Sequence, residues 1–217
     1  DATYDTGNVG IGTTTPATEL DVSGTITATG LTVPGDSLIT DSDIPHNTFL
    51  GLGAGITNTG ASNTGLGHNA LRISTGGSNT AIGWGTLTNN TTGSQNTAVG
   101  NSALQNNTTG VFNTALGLGA LKDNTEGDRN TATGYTALRN NTTGIGNVAN
   151  GWGALAGNTT GGQNHAIGYN SLVSNTAGSG NCTLGGGTLN KNIDGDYNIA
   201  IGHAALRDKT AGDYNIA

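Results

Sequence analysis

The sequence predicts an all-β chain: a β-solenoid of 17-residue coils preceded by a small N-terminal β region. Three observations predict it. The chain repeats itself with a period of 17 residues. Within each period the apolar residues are few and recur at fixed places. Gly (39), Thr (37) and Asn (28) together fill 104 of 217 positions, and all three are poor helix formers.

The period is read from Asn79. The unit NTAIGWGTLTNNTTGSQ is followed by NTAVGNSALQNNTTGVF from Asn96, and further units open at Asn113, Asn130, Asn147, Asn164, Asn181 and Asn198. Two 16-residue units precede them, from Asn47 and Asn63, giving ten units in all. Asn215-Ile216-Ala217 starts an eleventh, so the native polypeptide is expected to continue. With positions numbered 1 to 17, position 1 is Asn and position 5 is Gly in all ten units. Position 9 is Leu in nine, among them Leu87, Leu104, Leu121, Leu138, Leu155, Leu172, Leu189 and Leu206. Position 4 is mostly aliphatic, and position 15 is Gly in the eight full-length units.

A period of 17 is too short for helix-pair repeats, which need 33 residues or more. It suits a coil of two short strands, NTAIG and xALxx, each followed by a Gly- and Asn-rich turn. Stacked coils lie about 4.8 Å apart, so ten make a rod roughly 50 Å long. Equivalent side chains then superpose. The asparagines Asn79, Asn96, Asn113, Asn130, Asn147, Asn164, Asn181 and Asn198 are expected to form an amide ladder. The leucines and the aliphatics of position 4 are expected to form apolar columns, and Gly at positions 5 and 15 to supply positive φ.

Ahead of the array, residues 1–33 read as a β segment, with Leu20, Val22, Ile26 and Ala28 alternating with polar residues and turns at Pro16 and Gly24. Residues 34–46 read as a linker, and 47–217 as the array. The chain contains no Met, which predicts processing or a fragment.

Composition narrows function. Seven Lys and Arg against fourteen Asp and Glu argue against nucleic acid. No apolar run is long enough to span a bilayer as a helix, so no membrane insertion is expected in this segment. Cys182 stands alone and predicts no disulfide. Neither catalytic nor metal-binding residues are expected, and no cofactor. The two Glu, Glu19 and Glu126, lie far apart in sequence, and Asp123, Asp128, Asp194, Asp196, Asp208 and Asp213 sit at turn positions. Cys182 reads as a replacement of the position-2 Thr with no base beside it. Asn90-Thr91-Thr92 and Asn107-Thr108-Thr109 are glycosylation sequons by pattern.

One column varies within the strict repeat. Position 6 carries Trp84, Tyr135, Trp152, Tyr169 and His203, which either pack inward or between chains, or stack against glycan. Two large aliphatics per coil bury about 3–6 kcal/mol, a thin core against the entropy of ordering seventeen residues. Association with further copies would enlarge it.

Units such as NTAIG, NTAVG and NHAIGYNSL resemble the head repeats of trimeric autotransporter adhesins, which lack the NNTTG turn. Those heads are trimers of left-handed parallel β-rolls, and the resemblance implies the same for this chain. Gly7-Asn8-Val9-Gly10-Ile11-Gly12-Thr13-Thr14-Thr15-Pro16, with Leu20-Asp21-Val22-Ser23-Gly24-Thr25-Ile26, is similar to a segment of bacteriophage tail fibres and large bacterial surface proteins. Together the resemblances imply an extracellular homotrimer: a structural fibre shaft of a phage tail fibre, presenting or contributing to host-cell receptor or surface-glycan binding. A bacterial trimeric surface adhesin is the alternative. A further alternative, from the Thr column Thr48, Thr64, Thr80, Thr97, Thr114 and Thr131 at position 2, is an ice-binding solenoid. The column breaks at Val148, and absence of thermal hysteresis in a freezing assay would remove that reading.

Overall fold

Stacking identical short segments lets each backbone pair with the coil above and the coil below. The computed structural model of the chain describes residues 2–5, 8–11, 20–22, 40–41 and 46–217. Those residues form strands, turns and bends, with no helix among them. The chain divides into two compact units, residues 1–38 and 39–217. In the first, β1 (Ala2–Asp5) pairs antiparallel with β2 (Asn8–Ile11), which pairs parallel with β3 (Leu20–Val22). Pro16, Gly24, Ile26 and Ala28 lie outside the described residues.

The second unit is a parallel β-solenoid. It begins with β4 (Thr40–Asp41), antiparallel to β5 (Asn47–Leu50). β6 (Thr57–Asn58) and β8 (Ile73–Ser74) form a small parallel sheet of their own. The main sheet continues from β5 through β7 (Thr64–Leu66), β9 (Thr80–Ile82), β10 (Thr97–Val99), β11 (Thr114–Leu116) and β12 (Thr131–Thr133). It ends with β13 (Val148–Asn150), β14 (His165–Ile167), β15 (Cys182–Leu184) and β16 (Ile199–Ile201). Pairing is in register one repeat apart, as in Thr97↔Thr114 and Ala98↔Ala115. From β7 onward each strand of this sheet covers positions 2 to 4 of its unit.

Three expectations are corrected. The segment xALxx is not a strand. The position-9 leucines sit in the left-handed region, with φ between 44° and 55°, and the chain turns there. That conformation costs roughly 1–2 kcal/mol per L-residue. Full burial of a leucine contributes about 1.5–3 kcal/mol, enough to hold it. Second, position 4 faces outward. The Ala of position 3 points into the core instead, as at Ala98, Ala115 and Ala132, while Leu50, Leu66, Ile82, Leu116, Ile167 and Leu184 are exposed. Third, Gly at position 15 does not have positive φ from Gly93 to Gly195; only Gly212 does. It is needed because a Cβ there would overlap the next coil's backbone: at Gly127 it would stand 2.5 Å from the Gly144 carbonyl oxygen.

The core is therefore Ala of positions 3 and 8, Leu of position 9, and two columns of buried asparagine. In the first coil Gly55 replaces the leucine, and Phe49 fills the space. Built Cβ atoms at Gly55 and Gly65 would fall within 2.8 Å of its ring. Near the other end Thr183 and Thr188 bring hydroxyls inside, and both bond Ser171 Oγ at 2.7 Å.

Because Leu138 has φ 51°, its truncation should invert the usual order of glycine and alanine. Leu138→Ala should cost about 2–5 kcal/mol through the cavity it leaves. Leu138→Gly should be about 1 kcal/mol more stable than Leu138→Ala, since glycine carries no left-handed penalty. Urea midpoints of the two variants measure the difference. Alanine above glycine would exclude a left-handed position 9.

Candidate functional site

Position 1 of each coil from Asn79 to Asn198 is buried and hydrogen-bonded within the solenoid, so it presents no side chain to a ligand. The backbone N–H of Asn113 donates to Asn96 Oδ1 at 2.9 Å, and Asn113 Nδ2 donates to the Gly127 carbonyl at 2.8 Å. The same pair of bonds recurs at Asn79, Asn96, Asn130, Asn147, Asn164, Asn181 and Asn198. Direct amide-to-amide bonds occur as well, as from Asn164 Nδ2 to Asn147 Oδ1 at 3.1 Å. Of the leucine column, Leu87 to Leu189 are fully buried, and Leu206 is half-buried.

A second ladder runs at position 12 and escaped the sequence reading. Asn107, Asn124, Asn141, Asn158, Asn175 and Asn192 each donate from Nδ2 to Oδ1 of the asparagine one coil earlier, at 2.7–2.9 Å. Each also donates to the position-15 carbonyl of its own coil. The ladder stops where Lys209 takes the position, and Asn192 Oδ1 is left without a partner. The signal was in the sequence: seven consecutive units, Asn90 to Asn192, carry Asn there. The same fact corrects the sequons. Asn90 and Asn107 are fully buried and bonded, so the folded chain presents neither amide to a glycosylating enzyme.

The acidic residues serve the turns. Asp128 Oδ1 accepts from the Val111 N–H at 2.8 Å, Asp196 Oδ1 from Ser179, and Asp213 Oδ1 from Asp196. Asp208 pairs with Lys191 at 2.7 Å, and the hydrogen bond and charge of that ammonium hold its carboxyl below the ordinary value. Among the described residues no group of three His, Cys, Asp or Glu could hold a metal ion. Cys182 is not without a neighbouring base. Parallel pairing sets it beside His165, one coil back, both exposed on the outer face of the sheet. The pair stands on an open strand surface, with no third group bonded to the imidazole.

Every side chain of position 6 is exposed, and only Gly186 in that column is half-buried, so inward packing within the chain is excluded. Its aromatic rings stack along the solenoid. Tyr135 and Trp152 are 5.7 Å apart at 8°, Trp152 and Tyr169 4.9 Å at 13°, and His68 and Trp84 6.1 Å at 6°. A second short stack forms at position 17, with Tyr197 and Tyr214 at 5.2 Å, and Arg129 lies over the Phe112 ring at 5.6 Å. Stacked pairs of this kind contribute about 0.5–1.5 kcal/mol beyond burial.

Two faces thus carry possible function. One is the outer face of the strands, where positions 2 and 4 alternate with the buried Ala. The other lies beyond the position-5 glycine, where positions 6, 7 and 10 line a groove. It widens to a notch of about 340 Å³ among Tyr169, Gly186, His203 and Arg207, and to one of about 250 Å³ among Leu118, Lys122, Tyr135 and Arg139. Among the described residues no helix is long and apolar enough to cross a membrane. No protein-family model matches the chain, and no curated protein or solved structure matches it either.

Proposed function

We propose that the chain is a shaft segment of an extracellular homotrimeric fibre, of the kind that carries a phage tail's receptor-binding end to the host surface. One observation carries this reading. The parallel sheet presents a ladder of aliphatic side chains to solvent, one per coil over most of the array, with Leu50, Leu66, Leu184 and Ile201 between 43% and 59% exposed. The ladder runs in two stretches, Leu50 to Leu116 and Ile167 to Ile201, with Thr133 and Asn150 between them, and exposed apolar strips of this kind mark an association surface. The in-register repeat makes each stretch self-similar, so a second and third copy can cover them. The thin core of alanine, leucine and amide gives association a stabilising role as well. The resemblance of the repeats to adhesin heads and of residues 7–26 to tail-fibre segments supports the same reading.

Native mass by sedimentation or light scattering tests it: about three times the 21.4 kDa chain is expected. A folded monomer at micromolar concentration would sink the trimer. The location of the interface has its own probe. Cys182 is the single thiol, on the outer sheet face next to Leu184 of position 4. In the trimer it should react with a thiol reagent at least about tenfold more slowly than after unfolding in denaturant. Equal rates would place the interface elsewhere. The alternative, a bacterial trimeric adhesin, uses the same strip. The coding sequence downstream of Ala217 separates the two: a chaperone domain for the virion fibre, a membrane β-barrel anchor for the adhesin.

A further inference from the structure

We propose that the groove of positions 6, 7 and 10 binds an anionic, carboxylate-bearing polysaccharide that runs along the shaft. The inference rests on the reading of the chain as a surface-contacting fibre and names the ligand class that this groove fits.

The charge distribution points to an anion. The chain carries a formal charge of −7 and only seven Lys and Arg. Four of the seven, Arg72, Lys122, Arg139 and Arg207, fall in the single column of position 10. Columns 6, 7 and 10 contain no Asp or Glu from Leu52 to Arg207, although the chain has fourteen acids. None of these four cations forms an ion pair among the described residues, where Lys191–Asp208 is the one bridge found. Cations thus line one wall of the groove on an otherwise acidic molecule, and local potential there favours an anion.

The opposite wall points to sugar. Tyr135, Trp152 and Tyr169 stack on one another, so the ring face left open at this end of the stack is that of Tyr169 towards Gly186, and position 7 supplies a floor of small residues such as Gly119 and Gly187. A pyranose ring has an apolar face that packs on an aromatic ring and a rim of hydroxyls. Arginine offers the bidentate fork that carboxylates take up.

One place in the wall is built as a gap in the side-chain stack. Position 6 is Gly186 between Tyr169 and His203. Coils are about 4.8 Å apart, so the rings on either side of Gly186 are separated by roughly twice that. A ring entering there would sit at about the spacing that Trp152 and Tyr169 adopt, 4.9 Å between centroids. A Cβ on Gly186 would meet nothing nearer than His203 Cδ2 at 3.7 Å, and one on Gly187 nothing within 4 Å. Arg207 and Asn190 border the opening. The second notch, with Lys122 and Arg139, lies on the same three columns towards the N-terminal end, separated from the first by the coil of Trp152, so reaching both takes a polymer rather than a single sugar.

The test uses the folded chain with a galacturonic acid hexamer, its neutral methyl ester, and a Gly186→Tyr variant, read by calorimetry and by tryptophan fluorescence. The glycine has no positive φ and the added ring continues the existing stack, so the variant should fold. The acidic hexamer should bind at least about tenfold more tightly than the ester, and the preference should fade as salt rises towards 1 M, where the screening length is about 3 Å. Gly186→Tyr should weaken binding about tenfold, and Arg139→Gln with Arg207→Gln should remove the preference for acid. Equal binding of the ester, or full binding by a folded Gly186→Tyr, would overturn the proposal. The oligomeric state of the same sample is read separately. A monomer that binds the hexamer keeps this inference and removes the trimer, and a trimer that binds neither sugar does the reverse.

Discussion

Gly134→Ala, like alanine at the other position-5 glycines, should be among the most damaging single-methyl substitutions in the array, lowering stability on the order of 4 kcal/mol. Two costs add at this residue. Its φ is 127°, and the glycines of position 5 share values between 115° and 137°, where L-residues are strained by about 1–3 kcal/mol. A Cβ would also stand 2.6 Å from the Gly151 carbonyl oxygen, which is backbone of the next coil and cannot rotate away. Overpacking of that kind costs a further 1–3 kcal/mol or so. Gly144→Ala has the overlap without the torsional strain and should fall between. Gly186→Ala has neither and should stay within about 0.5 kcal/mol of the parent. Thermal unfolding followed by circular dichroism ranks the three. Since each coil is supported by its neighbours, a defect at coil 130–146 should also split one cooperative transition into two. Equal effects of Gly134→Ala and Gly186→Ala would mean that position 5 is not the corner described.

Asn141→Asp is the second large effect, and its pH dependence has a definite sign. Asn141 Nδ2 donates to Asn124 Oδ1 at 2.8 Å and to the Gly144 carbonyl at 3.0 Å, while its Oδ1 accepts from Asn158. An ionised Asp keeps the acceptor and loses both donors. It then faces two oxygens inside a fully buried ladder. An uncompensated buried charge costs about 3–5 kcal/mol. The carboxyl would be pushed above its unfolded value of about 3.9, so the penalty is absent below that pH and grows as pH rises through it. Urea midpoints should approach the parent at pH 3 and fall well below it at pH 7. A constant difference across that range would show that the carboxylate reaches water. Asn141→Ala removes the charge but leaves Asn124 Oδ1 without a donor, while the Gly144 carbonyl keeps Asn130 and Asn158 Nδ2 keeps the Gly161 carbonyl, and it should be harmful at every pH by about 1–3 kcal/mol.

Some of this architecture could be read from residue order, because stacking turns sequence identity at a fixed interval into contact. Asn79 and its equivalents, and the buried leucines, were visible as columns for that reason. What failed was the side on which a residue points. Strand alternation suggests one face for positions 4 and 6, but the strand ends at position 4 and the glycine of position 5 turns the chain between them. The aliphatic character of Ile82 suggested the core, whereas Ala81 next to it is the fully buried residue and Ile82 is exposed. The position-12 ladder was missed because NNTTG carries the composition of a surface turn. Burial makes the second of its asparagines structural, and composition does not report burial. The left-handed leucines were illegible, since no propensity favours leucine at positive φ. Their conformation comes from the coil's closure and is held by burial. The groove escaped because its two walls lie four residues apart in the unit, a spacing with no meaning until the turn at the position-9 leucine brings positions 6 and 10 together.

The antiparallel strand Thr40–Asp41 has a consequence for how such arrays join. A parallel stack is directional, and its first strand offers an edge on which another parallel coil could lodge. β4 occupies that edge of β5 with the opposite chain sense. An incoming repeat in the array's own register finds a mismatched hydrogen-bond pattern there. A parallel coil arriving at Asn47 and Thr48 would have to displace β4 first, so this edge of the solenoid is guarded against its own repeat by a strand of opposite sense.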